Sequence, residues 1–224
     1  MTTPSSSGPP DRAEFARRWS AAHGGADPTA RFVAGYLTVV QALARPLAAA
    51  GVRPDAVTAT GPVLAAVALW PAASGGRWAL LVPLVVVVSA VLDGLDGAIA
   101  VLTAGPTRWG AVLDGVADRV ADLAWTATLW LLGAPGWLVA AAAAVGWLHE
   151  YLRARAGAAG MTGVARVTVG ERPTRAVVVA LFALGAGLYP AAAGGWATAG
   201  AAALVGVGVA GLVQLVPAVR RELR

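Results

Sequence analysis

Six apolar stretches follow one another along this chain, at roughly 56–73, 79–101, 110–132, 136–152, 174–190 and 195–217. About 20 residues of helix cross the ~30 Å hydrocarbon core of a bilayer. In that core every backbone N–H and C=O must be paired within the protein, so apolar runs of this length fold as helices. The expected fold is an all-α integral membrane protein with six transmembrane helices. Of the 224 residues, 58% are hydrophobic and 13% charged, against about 45–50% and about 25% in a soluble domain. Those values exclude a disordered chain and a coiled coil, and they argue against a soluble globule. The 28 glycines suit helices that approach closely in lipid. There is no cysteine, so disulfide and thiolate chemistry are excluded.

The flanks read differently. Residues 1–30 are polar, with no apolar run, and are expected to form a disordered cytoplasmic tail rather than a signal peptide. From Phe32 to Ala50 an apolar stretch is broken by Gln41 and Arg45. It reads as an amphipathic helix lying on the membrane ahead of the first span. The domain is expected over 31–219, with a basic end at 220–224.

All 17 basic residues are Arg. Fifteen of them lie in the N-terminal segment, the second and fourth loops and the C-terminal end. By the positive-inside rule this places both termini and the even loops in the cytoplasm and favours an even number of spans. The net charge of +5 is then Arg held at an anionic membrane face, and no nucleic-acid partner is expected.

Five of the 12 acidic residues fall within 30 positions: Asp93, Asp96, Asp114, Asp118 and Asp122. An Asp at the centre of a membrane helix costs about 2.5–3.5 kcal/mol on insertion scales, so such residues need partners. Asp93 and Asp96 stand three apart, and Asp114, Asp118 and Asp122 four apart, so each set shares one helix face. A short connection at Gly105-Pro106 is expected to make these two helices antiparallel neighbours, with the carboxylates converging near the cytoplasmic end. Ionised carboxylates packed so closely need cations. An all-oxygen ligand set suits Mg²⁺, Mn²⁺ or Ca²⁺ rather than Zn²⁺ or Cu²⁺. A network with Arg108 and Arg119 is short of positive charge, and a cation or proton transporter needs its carboxylates at the midplane of broken helices.

The run from Asp93 to Asp118 resembles the signature of the CDP-alcohol phosphatidyltransferases, D-x2-D-G-x2-A-R-x8-G-x3-D-x3-D. Asp93, Asp96, Gly97, Ala100, Gly110, Asp114 and Asp118 match it at every spacing, and Val101 stands where the family has Arg. Arg53-Pro54-Asp55-Ala56-Val57-Thr58 is similar to the family's Pro-Asn-x-x-Thr motif, with Asp55 in place of Asn. The resemblance implies an enzyme of phospholipid biosynthesis in a prokaryotic plasma membrane, its active site cytoplasmic. A CDP-linked lipid, usually CDP-diacylglycerol, would give its phosphatidyl group to a polar alcohol and release CMP. It implies a two-metal Mg²⁺ or Mn²⁺ site on Asp93, Asp96, Asp114 and Asp118, with Asp118 as general base. Gly97, Ala100, Gly110 and Thr58 would receive the nucleotide, with Arg108 replacing the guanidinium absent at Val101. It also implies a homodimer. Val101 keeps open an altered nucleotide donor or a catalytically silent paralogue.

Arg153 and Arg155 in Y-x-R-A-R-A, and Arg172 and Arg175 in E-R-x-x-R, resemble the prokaryotic branch of this family that uses inositol phosphate. Guanidinium binds phosphate bidentately, so these four are the candidate acceptor ligands. Glycerol 3-phosphate is the next candidate acceptor, and phosphatidylglycerol, giving cardiolipin, is a third. Asp122 lies outside the signature and is expected to make a helix-packing hydrogen bond. His149 is expected to be a satisfied helix-end histidine.

Overall fold

The computed structural model describes residues 11–22, 29, 31–103, 105–161 and 168–224. Its elements are α1 (Arg12–Ala22), α2 (Arg31–Ala49), α3 (Pro54–Val67), α4 (Leu69–Ser74), α5 (Leu81–Leu102), α6 (Arg108–Leu131), α7 (Gly136–Ala158), α8 (Arg172–Leu188) and α9 (Ala193–Glu222). Short 3₁₀ turns at Gly76–Leu80 and Pro190–Ala192 lead into α5 and α9. There is no strand among the described residues.

Local chemistry sets several boundaries. Pro54 opens α3, where its missing N–H costs nothing. Pro71 separates α3 from α4, because its ring would strike the carbonyl of Val67 in a continuous helix. Gly105, at φ +88°, turns the chain between α5 and α6. Thr107 then caps α6, its Oγ1 accepting from the Gly110 N–H at 2.9 Å.

All six apolar stretches are helical, but among the described residues three helical units combine the length and apolarity to cross a membrane: Pro54–Ser74, Gly76–Leu102 and Pro190–Glu222. The reason lies in what the others carry. α6 holds Arg108, Asp114, Asp118, Arg119 and Asp122, α7 carries Glu150, Arg153 and Arg155 in its C-terminal half, and α8 has 17 residues.

Three expectations are corrected. The segment expected to be a disordered tail contains α1, begun by Asp11, whose Oδ1 accepts from the Glu14 N–H at 2.7 Å. Phe15 on this helix is fully buried against α2 and α5. The remainder of 1–30, including His23, lies outside the described residues except for Thr29. At the other end α9 runs through the expected basic tail as far as Glu222. Finally, α5 and α6 are not packed side by side. α3 lies against both of them along its length, and α5 and α6 touch only sparsely. Its small buried positions, Thr58 and Ala65, let it fit between them.

Two apolar clusters result. The larger joins α3–α9 around Trp125, Leu129, Val82 and Val179. The smaller holds Phe15, Leu37 and Val40 against Leu95, Ile99 and Val101 on α5.

Candidate active site

Asp93 and Asp96 share one face of α5 but serve different neighbours. Asp93 turns toward α6, where Asp114 and Asp118 stand one helical turn apart. One carboxylate oxygen from each of these three lies within 4.8 Å of the others. Asp96 is buried and turns to α3, where the Thr58 hydroxyl donates to Oδ2, while its own Oδ1 accepts from the Gly97 N–H at 2.5 Å. Two of the expected ligand and nucleotide residues, Asp96 and Thr58, are therefore joined to each other beside the three-carboxylate group.

The glycines of the signature differ in the room they leave. A methyl at Gly97 would meet nothing within 4 Å, and one at Gly110 would lie 3.7 Å from the Asp55 Oδ1 and 3.0 Å from the Thr107 hydroxyl. Ala100 is half-buried on the same helix. Arg108 is exposed at the first position of α6, with no ion pair among the described residues. Val101 is 3% exposed and packs into the apolar cluster beneath α1 and α2.

The four arginines singled out as acceptor ligands separate into distinct environments. Arg172 reaches the carboxylates: its Nη1 pairs with Asp93 and, at 2.7 Å, with Asp118. Its guanidinium lies over the Trp125 ring, 4.8 Å from the centroid, a cation–π arrangement. Arg175, one turn on, is 8% exposed and bound to Asp122, Glu150 and the Gly170 carbonyl. Arg153 is half-buried and paired with Glu171. Arg155 is exposed.

Sequence reasoning missed two participants, Glu150 and Tyr36. Glu150 pairs with Arg175 at 3.2 Å and with Arg119 at 3.5 Å; an acid in an alanine-rich apolar helix was the available signal. Asp122 makes the interhelix hydrogen bond expected of it, accepting from Arg175 of α8 at 2.8 Å, and is also an ion-pair residue, 3.3 Å from Arg119. Tyr36 of α2 lays its hydroxyl against Gly94, where a methyl group would overlap it. Desolvation and the nearby Asp93 and Asp96 push this phenol up to about 12, so it stays neutral and able to donate. His149 is fully buried, its Nε2 sharing a hydrogen bond with the Thr168 hydroxyl at 2.9 Å.

Three carboxylates from two helices, with no sulfur or imidazole in the group, form an oxygen-only cradle that fits Mg²⁺ or Mn²⁺. Such a cradle beside an arginine is suited to phosphoryl chemistry, in which paired charges hold a pyrophosphate and a carboxylate takes a proton. Comparison with known proteins agrees. The profile of the family described as CDP-alcohol phosphatidyltransferase matches residues 51–210, and the chain belongs to that family.

Within the family its similarities are specific. It is 35% identical to the phosphatidylinositol phosphate synthase of Mycolicibacterium smegmatis over 166 residues, 69% of this chain and 70% of that protein. It is 33% identical to the archaetidylinositol phosphate synthase of Aeropyrum pernix over 130 residues, 56% of this chain and 63% of that one. The crystal structure of Mycobacterium tuberculosis phosphatidylinositol phosphate synthase with manganese and citrate superposes with a TM-score of 0.66 at 28% identity, covering 80% of this chain and 88% of that one. The same enzyme with CDP-DAG bound superposes at 0.63, covering 77% and 90%. The chain is thus a prokaryotic-type membrane enzyme of phospholipid synthesis, and the transporter reading falls away.

Proposed function

We propose that this enzyme is a phosphatidylinositol phosphate synthase, transferring the phosphatidyl group of CDP-diacylglycerol to inositol phosphate with release of CMP. The observation that carries the acceptor is Arg172. Its guanidinium, from the E-R-x-x-R segment, stands directly on the carboxylate group, at 2.7 Å from Asp118. An acceptor phosphate held there brings the acceptor's ring hydroxyl beside the general base. Arg153, half-buried and paired with Glu171, is the second candidate phosphate ligand.

The chemistry then follows from the chain's own groups. The acceptor hydroxyl oxygen attacks the phosphorus that carries diacylglycerol, and the bond from that phosphorus to the CMP oxygen breaks. Asp118 accepts the hydroxyl proton as the bond forms. Divalent cations held by Asp93, Asp114 and Asp118, with Asp96 beside them, would supply neutralisation of the pyrophosphate and of the departing CMP. Gly97, Ala100, Gly110 and Thr58 line the nucleotide end, where Gly97 leaves open space. Arg108, exposed at the mouth of α6, faces the phosphates from the loop side in place of the family's arginine.

The same reading places the unit α3–α4 and the helices α5–α9 across a plasma membrane as six spans, with α2 lying in the cytoplasmic interface. Arg asymmetry supports cytoplasmic termini and a cytoplasmic active site. A homodimer, with lipid around it, completes the proposal.

The test is CMP release by purified protein in detergent with CDP-diacylglycerol and Mn²⁺ or Mg²⁺. Inositol 3-phosphate, glycerol 3-phosphate, inositol and phosphatidylglycerol are the acceptor arms, with Asp118→Asn as control. Release that depends on inositol 3-phosphate and vanishes in the variant supports the proposal. Release with glycerol 3-phosphate alone would reassign the acceptor.

A further inference from the structure

The E-R-x-x-R arginines stand on one face of α8, yet they are engaged differently, and the carboxylate that touches both is Asp122. Arg175 has both Nη groups engaged by the protein. Its Nη1 donates to Glu150 at 3.2 Å and to the Gly170 carbonyl, and its Nη2 donates to Asp122 at 2.8 Å and to Glu150 at 3.2 Å. At 8% exposure, it is part of the wall. Arg172 is held at one edge: its Nε donates to Asp122 Oδ1 at 3.3 Å, and its face rests on Trp125. Its Nη1 extends to Asp93 and Asp118.

We infer that Asp122 is a positioning residue that divides the labour of this pair, locking Arg175 into the wall and fixing the plane in which Arg172 is presented to an acceptor phosphate. Each oxygen of its carboxylate has its own arginine, and Arg119 approaches Oδ2 at 3.3 Å as well. Planar guanidinium recognition is directional, so an arginine held by its Nε has its two Nη groups aimed by the residue that holds it. Without that anchor, the guanidinium of Arg172 is held at Nη1 alone, on Asp93 and Asp118, and its plane turns about that contact. It then no longer matches the acceptor. Arg175 lies behind it and offers no replacement.

This inference rests on Arg172 being the phosphate ligand of the proposed function. Asp122→Asn keeps the shape and removes the charge; Asp122→Glu keeps the charge and shifts it by one methylene. Steady-state CMP release is measured for wild type and both variants, varying inositol 3-phosphate and CDP-diacylglycerol separately. Mn²⁺ affinity is measured by electron paramagnetic resonance, and Tm is followed in parallel. The expected result for Asn is an acceptor KM raised about tenfold, with the CDP-diacylglycerol KM unchanged. Mn²⁺ affinity is unchanged, because Arg172 Nη1 already stands on Asp93 and Asp118 in the wild type, and Glu restores part of the acceptor loss. An unchanged acceptor KM overturns the inference, as does a parallel rise in both KM values with lowered Tm, the mark of a merely structural role. If Asn does not fold, the Glu variant carries the same test, with a raised acceptor KM expected at wild-type Tm. Wild type inert toward every phosphorylated acceptor overturns the proposed function and this inference together, whereas an active wild type beside an indifferent Asn variant overturns this inference alone.

Discussion

At Gly185, Gly187, Gly200 and Gly208 an added methyl group would lie only 2.5–2.7 Å from Trp196, Leu80, Phe182 or Val145. At Gly97 and Gly115, along the carboxylate-bearing faces of α5 and α6, it would meet nothing within 4 Å. One residue type does two jobs. In the dry part of the bundle, glycine lets backbones and large side chains close on each other, which in lipid substitutes for hydrophobic driving force. Around the carboxylates it keeps space from being filled. The contrast separates what holds the helices together from what the site must admit.

Four substitutions can break or sharpen that contrast. Asp118→Asn is expected to lower kcat by about a thousandfold, within the usual range for loss of a general base, while Tm holds. A comparable loss of Tm would mean that the carboxylate is chiefly structural. Gly200→Val, in the dry part, is expected to cost about 1–3 kcal/mol by overpacking, seen as a lowered Tm with activity lost only as the protein unfolds. Gly97→Ala is expected to do the reverse: Tm unchanged, KM for CDP-diacylglycerol raised about tenfold, the scale of one methylene in a fitted pocket. An unchanged KM would remove Gly97 from the nucleotide end. Arg155→Ala is expected to change the acceptor KM less than twofold, because exposed charges contribute little. A large rise there would return Arg155 to the acceptor site.

Much of this was legible in the sequence, and the exceptions have causes. Runs of apolar residues located α3 through α9, because helix is the conformation they can adopt in lipid. The Asp spacings located the faces that meet at Asp93, Asp114 and Asp118. Partner choice across helices was not legible. Asp93 and Asp96 share a face, yet α3, packed along both α5 and α6, captures Asp96 through Thr58. Periodicity within α5 holds no trace of that. α1 was legible but overlooked: Asp11 and Glu14 begin it, and Phe15 and Trp19, one turn apart, form its apolar edge. Val101 reads as a missing charge in the signature. In the structure it is a member of the apolar cluster under that same helix.

The distribution of charge among the helices carries a consequence for biogenesis. The units apolar enough to cross alone, Pro54–Ser74, Gly76–Leu102 and Pro190–Glu222, bracket the helices that hold Asp114, Asp118, Glu150 and Arg172. A translocating channel that sorts segments by hydropathy would release the outer units into lipid readily and detain α6, α7 and α8. In the proposed six-span arrangement these three would enter as a group, their acids and arginines paired. On that arrangement the pairing at the candidate site would also ease membrane insertion, and a substitution that strips one sign of charge from the network would lower the yield of inserted protein.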